Sequence, residues 1–270
     1  MFLYLCAICS HVQLLAGDFD RNGNARMNVS YAELDNPMKG EDEERAQEIF
    51  DDVLKTLPRR GKSRRIKFPS KIVWLSGAPG SGKGTNVSGI MRMLEISSKP
   101  IEVSSLLNSP EDQAIKASGN LVDDERVISC VFRALLRPEY SRGVIVDGFP
   151  RTRIQAICLE LLAKKIRIES DNEPSSFAIV NFTVSRKTSI ERQLNRGQKA
   201  LEHNELAISN PSPIRETDLS EVSAAFRYQT YVDKMQDCLA VLRSMPEYYE
   251  ISAEGDMDTV RNRIYEMLSH

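Results

Sequence analysis

The chain has 270 residues, with 36 lysines and arginines against 38 aspartates and glutamates, and a formal net charge of −2. Hydrophobic residues make up 41% and charged residues 27%, a composition typical of a globular protein with a sizeable core. This composition excludes a collagen-like, a wholly disordered and a multi-span membrane protein. The near-neutral balance argues against binding of nucleic acid through an overall positive field. The five cysteines are an odd number in a chain too long to need disulfides, which favours a reducing cytoplasm.

The first part of the chain, residues 1–66, is interpreted as an extension of uncertain fold. Cys6 and Cys9 form a CxxC pair, but no second pair at metal spacing follows, so a zinc site is disfavoured. Residues 18–29 are similar to an EF-hand calcium loop, yet Val29 stands where that loop needs glutamate. A turn rich in Asx and glycine is therefore favoured over a calcium site. The apolar N-terminal run is too short to span a membrane and lacks the basic start of a secretory signal.

A helix is predicted near residues 41–57, because apolar residues recur at helical spacing from Ile49 onward and Pro58 stops the pattern. Lysines and arginines crowd the following residues, 59–67, which are interpreted as a solvated basic linker rather than a surface for nucleic acid. The second predicted domain then occupies residues 67–270.

Short apolar runs alternate with helical patterns from Lys71 onward. The runs 72–75, 144–146 and 177–182 are typical of strands that are buried on both faces of a parallel sheet. Helices are predicted at about 84–97, 123–136, 152–165, 187–195, 220–243 and 256–268. Strands separated by helices predict right-handed crossovers and an α/β fold, a doubly wound parallel sheet flanked by helices.

A glycine-rich loop follows the first predicted strand directly. It fits GxxxxGK at Gly77, Gly82 and Lys83, in the strand–loop–helix setting that this motif requires. The glycines let backbone N–H groups converge on phosphate oxygens, the following helix adds its positive end, and the lysine supplies a charge for the β and γ phosphates. The predicted ATP-binding loop consists of Gly77, Ala78, Pro79, Gly80, Ser81, Gly82, Lys83, Gly84 and Thr85.

Mg²⁺ is the cofactor expected with the nucleotide, held mainly through water. Most P-loops place serine or threonine directly after the lysine as a metal ligand, but here that position is Gly84. Asp147 is the candidate carboxylate, because it follows the apolar strand 144–146. The carboxyl ends of strands are where ligands gather in open α/β sheets.

The loop sequence GAPGSGKGT, followed by VDGFPRT at residues 146–152, resembles the adenylate kinase family of nucleoside monophosphate kinases. The resemblance runs from about Lys71 to the C-terminus and leaves the first 66 residues outside. It implies a P-loop NTPase-type fold and transfer of the γ-phosphate of ATP to AMP, giving two ADP. It also implies a cytoplasmic monomer that takes ATP and a nucleoside monophosphate, with no nucleic-acid or membrane partner.

The resemblance also assigns roles to individual side chains. Arg151 would grip the acceptor phosphate and Gln155 would read the adenine of AMP; Arg192 would stack on the ATP base. Phosphoryl transfer needs in-line alignment and neutralisation of charge rather than a strong base, and arginine forks supply both. The residues expected to carry catalysis are Lys83, Arg151, Arg196, Arg215 and Arg227, of which Arg196 also contacts ATP. The residues expected to bind the acceptor are Ser104, Gly148, Arg151, Gln155, Arg215 and Arg227.

Two segments depart from the family pattern. The acceptor arm, about residues 104–122, is shortened, and Asn108 stands near the arginine that the family uses for the acceptor phosphate. The lid, about residues 197–214, is short and has no cysteine, so no structural zinc is expected. Two alternatives therefore stay open: a kinase for UMP, CMP or another monophosphate, and a nucleotide-binding module without turnover.

Overall fold

The structure is a computed structural model that describes residues 37–59, 66–117, 121–169, 176–206, 211–212 and 214–268. The CxxC pair, the calcium-loop-like stretch and most of the basic run lie outside the described residues. The chain divides into two units, residues 1–39 and 40–270. Of the first unit, only the first turn of a helix is described.

Helices and strands alternate along most of the second unit. The helices are α1 Pro37–Thr56, α2 Lys83–Met93, α3 Val103–Leu106, α4 Pro110–Ala117, α5 Asp124–Leu135, α6 Arg153–Glu169, α7 Arg186–Leu206, α8 Glu221–Leu242 and α9 Met257–Leu268. The strands are β1 Lys71–Gly77, β2 Ile101–Glu102, β3 Val144–Asp147, β4 Ser176–Thr183 and β5 Tyr248–Ser252. Short 3-10 helices lie at Pro138–Tyr140 and Glu216–Asp218.

The described strands form one parallel sheet in the order β2-β3-β1-β4-β5. The central strand β1 pairs with β3 and with β4, and Leu75 lies opposite Asp147. From β1 the chain crosses through α2 to β2, whereas from β3 it crosses through α6 to β4 on the other side of β1. A crevice between the carboxyl ends of β1 and β3 is the usual ligand site in such a sheet. The prediction of a doubly wound parallel sheet flanked by helices is confirmed.

Helix α1 contributes apolar side chains to the same core as the sheet. Ala46, Phe50 and Leu57 are buried, and the ring of Phe50 meets that of Phe132 on α5 edge to face, with ring centroids 6.0 Å apart. The Cys158 thiol on α6 donates to the Ala46 carbonyl at 3.3 Å. The helix predicted near residues 41–57 is therefore part of the unit 40–270, while the division of the chain at residue 66 stays a prediction.

Charged side chains also link α1 to its neighbours. Arg153 on α6 lies 3.4 Å from carboxylate oxygens of both Asp42 and Glu43. Arg45 lies 3.5 Å from Glu125 on α5. The pair of Arg45 and Glu125 is exposed and contributes at most about 1 kcal/mol, whereas Arg153 is largely buried. Helix α1 is therefore attached by its apolar face together with the Arg153 contacts.

Replacing Phe50 with alanine is expected to lower the free energy of unfolding by about 3–5 kcal/mol, because it removes a buried ring from this core. Urea denaturation of the full chain measures the change. The control is Asp51→Ala, on the exposed face of the same helix, which is expected to stay within about 0.5 kcal/mol of the parent. Equal stabilities of the two variants would contradict the docking of α1.

Candidate active site

The phosphate loop between β1 and α2 is shaped by close approaches of backbone. Gly77, Gly80 and Gly82 have φ angles of 143°, 71° and 79°, a region that favours glycine. A Cβ at Gly77 would lie 2.5 Å from the Phe182 carbonyl oxygen on β4, and one at Gly80 would lie 2.6 Å from the Ser189 carbonyl oxygen on α7. Neither position accommodates a side chain, so both glycines are required by packing as well as by the turn.

Helix α7 holds this loop from the other side. The Ser189 hydroxyl is buried and donates to the Pro79 carbonyl at 2.7 Å. The Asn86 side chain on α2 donates to the Gly82 carbonyl at 3.0 Å. The loop is thus fixed at both ends before any ligand binds, which leaves little ordering cost for phosphate binding.

Lys83 opens α2 and turns back over the loop, where its Nζ donates to the carbonyl oxygens of Gly77 and Ala78. Burial lowers the pKa of Lys83 to about 8. The nearby Asp147 opposes this shift, whereas the charges of three arginines, Arg151, Arg227 and Arg196, lower the pKa further. These residues come from separate segments, so the fold brings four predicted site cations and one carboxylate within electrostatic reach of each other.

A buried carboxylate orients two of these arginines. Arg196 on α7 donates from Nε and Nη2 to the two oxygens of Asp218, at 2.7 and 2.8 Å. Arg227 on α8 donates from Nη1 to Asp218 at 3.2 Å. Asp218 is 2% exposed, and a Cβ at Gly197 would overlap its carbonyl oxygen. Asp218 is not among the site residues predicted from the sequence.

One face of α7 joins the phosphate loop to this arginine pair. Gln193 lies four residues after Ser189, and Arg196 and Gly197 lie three and four residues after Gln193, which places them along one side of a helix. Gln193 is buried, and its Nε2 donates to the Ala224 carbonyl on α8 at 3.3 Å. The distance between loop and arginines is therefore set by a rigid element.

Two predicted arginines lie in different surroundings. Arg192 donates from Nη1 and Nη2 to the carbonyl oxygens of Ala253 and Gly255, each at 2.9 Å, and so ties α7 to the connection between β5 and α9. Arg215 is exposed. Burial is the main cause that lowers the pKa of Arg227, and the charge of Arg215 lowers it further. Arg215 is thus near the cluster. Its carbonyl accepts from the Asp218 N–H at 2.8 Å, and its side chain has no hydrogen-bond partner among the described residues.

A cavity lies between α3, α5 and the end of β3. It is lined by Val103, Ser104, Leu107, Leu121, Val122, Val127, Gly148, Arg151 and Gln155. The arginine here is Arg151, and partial desolvation of its guanidinium lowers its pKa. The cavity therefore combines apolar walls with one cation and one amide, a lining that suits a base attached to an anionic group.

Gln155 and its neighbours form a hydrogen-bonded group in the wall of this cavity. Its Oε1 accepts from the Arg151 backbone N–H at 2.9 Å, and its Nε2 donates to Asp124 on α5 at 2.8 Å. The Thr152 hydroxyl donates to the same carboxylate oxygen at 2.8 Å. Burial raises the pKa of Asp124. Asp124 was not predicted from the sequence.

The described part of the segment predicted as the acceptor arm contains the short helices α3 and α4. Asn108, between them, lines a different cavity with Arg137 and Tyr140. Its carbonyl accepts from the Gln113 side chain at 3.0 Å. Ser104 lines the same cavity as Gln155, whereas Asn108 does not.

The lid region begins as the last turns of α7. The Asn204 side chain donates to the Ser212 carbonyl at 3.0 Å and accepts from the Ser212 N–H at 2.6 Å. Most of the residues between these two lie outside the described part of the chain.

The donor set of the site fits Mg²⁺ bound with a nucleotide. Mg²⁺ keeps several waters and usually takes one or two protein carboxylates plus phosphate oxygens. Asp147 lies at the end of β3, close enough to Lys83 to raise its pKa, and the buried Ser81 hydroxyl has no hydrogen-bond partner among the described residues. Within the same residues, no cluster of three or more His, Cys, Asp or Glu forms a metal cage. No described helix is long and apolar enough to cross a membrane.

Comparisons with known proteins point in the same direction. A family model described as an AAA domain matches residues 76–208. The adenylate kinase of Prochlorococcus marinus is 30% identical over 200 residues, which cover 72% of this chain and 96% of the relative. The adenylate kinase of Coxiella burnetii is 28% identical over 223 residues, which cover 74% of this chain and 94% of the relative. That of Stenotrophomonas maltophilia is 25% identical over 199 residues, with 70% and 95% covered.

Proposed function

Since the chain belongs to the adenylate kinase family of P-loop kinases, we propose that it transfers the γ-phosphate of ATP to AMP, giving two ADP. The observation that carries the proposal is the convergence of Lys83, Arg151, Arg196 and Arg227, whose charges act on each other at the carboxyl end of the sheet. Four positive charges held close together repel each other, and a ligand with several phosphates would relieve this repulsion. Cytoplasmic location and a monomeric state stay predictions.

In the proposed reaction, an oxygen of the acceptor phosphate forms a bond to the γ-phosphorus as the bond to the β,γ-bridging oxygen breaks. The loop N–H groups and Lys83 hold the donor phosphates, and Arg151 holds the acceptor phosphate. Arg196 and Arg227, fixed by Asp218, neutralise charge on the moving group. Bound Mg²⁺ would add charge neutralisation on the phosphates, and Asp147 would hold it through water.

ATP binding is expected to take up a proton when the pH lies above about 8, the pKa of Lys83 in the free protein. Above that pH the free lysine is largely neutral, whereas bound phosphates stabilise its charged form and raise its pKa. Affinity should therefore fall as the pH rises beyond about 8. Calorimetric titration at about pH 9, in two buffers of different ionisation enthalpy, measures the uptake. Lys83→Arg, which stays charged, is the control; equal enthalpies in both buffers for the parent would contradict the assignment.

A coupled assay for ADP with ATP and AMP, CMP or UMP tests the acceptor. We expect AMP to give the highest kcat/KM. ADP formation from AMP no faster than with ATP alone would overturn the proposal. ATP binding without phosphorylation of any acceptor would instead identify a nucleotide-binding module without turnover.

A kinase for UMP, CMP or another acceptor is the second candidate. It is favoured by Asn108 and by the absence of any arginine between residues 104 and 122 of the sequence. Losing one charged hydrogen bond to the acceptor phosphate costs about 1.5–3 kcal/mol. Higher kcat/KM with UMP or CMP than with AMP would establish this candidate in place of the first.

A further inference from the structure

The amide of Gln155 is held at both ends by groups of opposite hydrogen-bonding character. The Arg151 backbone N–H can only donate, and it lies 2.9 Å from Oε1. The Asp124 carboxylate accepts, and it lies 2.8 Å from Nε2. The carboxylate oxygen is itself fixed, because it also accepts from the Thr152 hydroxyl at 2.8 Å.

A rotation of the amide by half a turn would break both contacts. It would bring an amide N–H against the Arg151 N–H and an amide oxygen against the carboxylate of Asp124. Gln155 is 3% exposed, so bulk solvent offers little replacement for the lost partners. Since one hydrogen bond to a charged group corresponds to about a 10- to 150-fold change in an equilibrium, one orientation dominates.

The fixed amide leaves a defined pattern for a ligand. A glutamine amide has two N–H donors and an oxygen with two lone pairs, and among the described residues one of each is used. Gln155 lines the cavity proposed for the acceptor nucleotide. The amide therefore offers a ligand there one hydrogen-bond acceptor beside one hydrogen-bond donor. That pair complements a base with an amino donor beside a ring-nitrogen acceptor, as in adenine. A base with an oxo group in place of the amino group would set oxygen against oxygen.

We propose that Asp124 is a positioning residue that fixes the Gln155 amide and thereby makes the acceptor site select a 6-amino purine over a 6-oxo purine. The inference rests on the proposed function, because it concerns the acceptor of that transfer. It predicts that the protein uses AMP far better than IMP, which differs only in this edge of the base. It also disfavours UMP as acceptor, since uracil carries an oxo group at the corresponding edge.

The test compares kcat/KM for AMP and for IMP, with the same ATP, in the parent and in Asp124→Ala. Without the carboxylate, one of the two contacts that oppose rotation of the amide is lost and only the Arg151 N–H still opposes it. The AMP-to-IMP ratio of kcat/KM is therefore expected to fall at least about tenfold, with kcat/KM for IMP rising. A merely structural defect would lower kcat/KM for AMP and for IMP by the same factor and leave their ratio unchanged. Asp124→Asn, whose amide can accept or donate, is expected to give a smaller fall in the AMP-to-IMP ratio. This variant replaces Asp124→Ala in the test if the alanine variant does not fold.

Asp123→Asn is the matched control. Asp123 is the neighbouring acidic residue and accepts from the N–H groups of Glu125 and Arg126, a role that asparagine fills equally well. Its AMP-to-IMP ratio is expected to equal that of the parent. An unchanged ratio in both Asp124 variants, or a parent that uses AMP and IMP equally, would overturn the inference while leaving the proposed function standing.

If the parent phosphorylates neither nucleotide, the proposed function fails, and calorimetric binding of AMP and IMP decides the inference separately. Tighter binding of AMP, with a difference that shrinks in Asp124→Ala, supports it. Equal binding overturns it.

Discussion

Replacing Lys83 with alanine is expected to lower the rate of phosphoryl transfer by at least about 10³-fold while the chain still folds. The ammonium lies over the phosphate loop and is partly buried. Desolvation, together with the charges of three arginines, lowers its pKa to about 8. A charge held in such a place stabilises phosphates more than a solvated one does. Steady-state assays of kcat and kcat/KM with ATP and AMP measure the loss.

The stability of Lys83→Ala should not fall, because a lowered pKa means that folding disfavours the charged lysine near neutral pH. Thermal unfolding checks this. The matched control is Lys187→Ala, which removes a lysine whose side chain is 85% exposed on α7. We expect parental activity in that control. Activity of Lys83→Ala within tenfold of the parent would contradict the assigned phosphate loop.

Replacing Asp218 with asparagine is expected to lower kcat by about 10²-fold or more. The free energy of unfolding is expected to fall by about 1–3 kcal/mol, because the two arginine partners are partly exposed. The carboxylate is 2% exposed and contacts both Arg196 and Arg227. Without it, the two guanidinium groups repel each other and lose their orientation. The loss should appear mainly in kcat, since the proposed ATP site is the phosphate loop, which is held by Ser189 and Asn86. Kinetics and chemical denaturation measure the two effects.

The control for this variant is Asp258→Asn on α9. Asp258 also pairs with an arginine, Arg261 at 3.3 Å, but its side chain is 89% exposed, so little change is expected. Loss of stability in Asp218→Asn without loss of kcat would show that the pair of arginines serves the fold alone.

The sheet was predictable where its strands are buried on both faces. The apolar runs 72–75, 144–146 and 177–182 lie in β1, β3 and β4. The edge strands were not predicted. β2 has only two residues, and most of β5 is exposed, so neither carries the continuous apolar signal on which the prediction depends. Helix α1 was predicted from its periodicity, but its docking site was not, because periodicity shows an apolar face and not its partner.

The candidate site likewise contains residues that the sequence identifies and residues that only the tertiary structure reveals. The phosphate loop is contiguous in sequence and belongs to a specific motif, so each of its residues could be named in advance. The carboxylates that orient the other groups lie far away along the chain: Asp218 is 22 residues from Arg196, and Asp124 is 31 residues from Gln155. The contact of Arg192 with two backbone carbonyls likewise depends on tertiary structure. The roles of these residues in transfer stay predictions.

Following ATP labelled at its γ-phosphate in a single turnover with AMP and Mg²⁺ tests transfer to AMP most directly. We expect the label to appear in the β-phosphate of ADP formed from AMP, only when both nucleotides are present, and not with Lys83→Ala. Release of the label solely as inorganic phosphate, or no transfer at all by the parent protein, would contradict the proposed reaction.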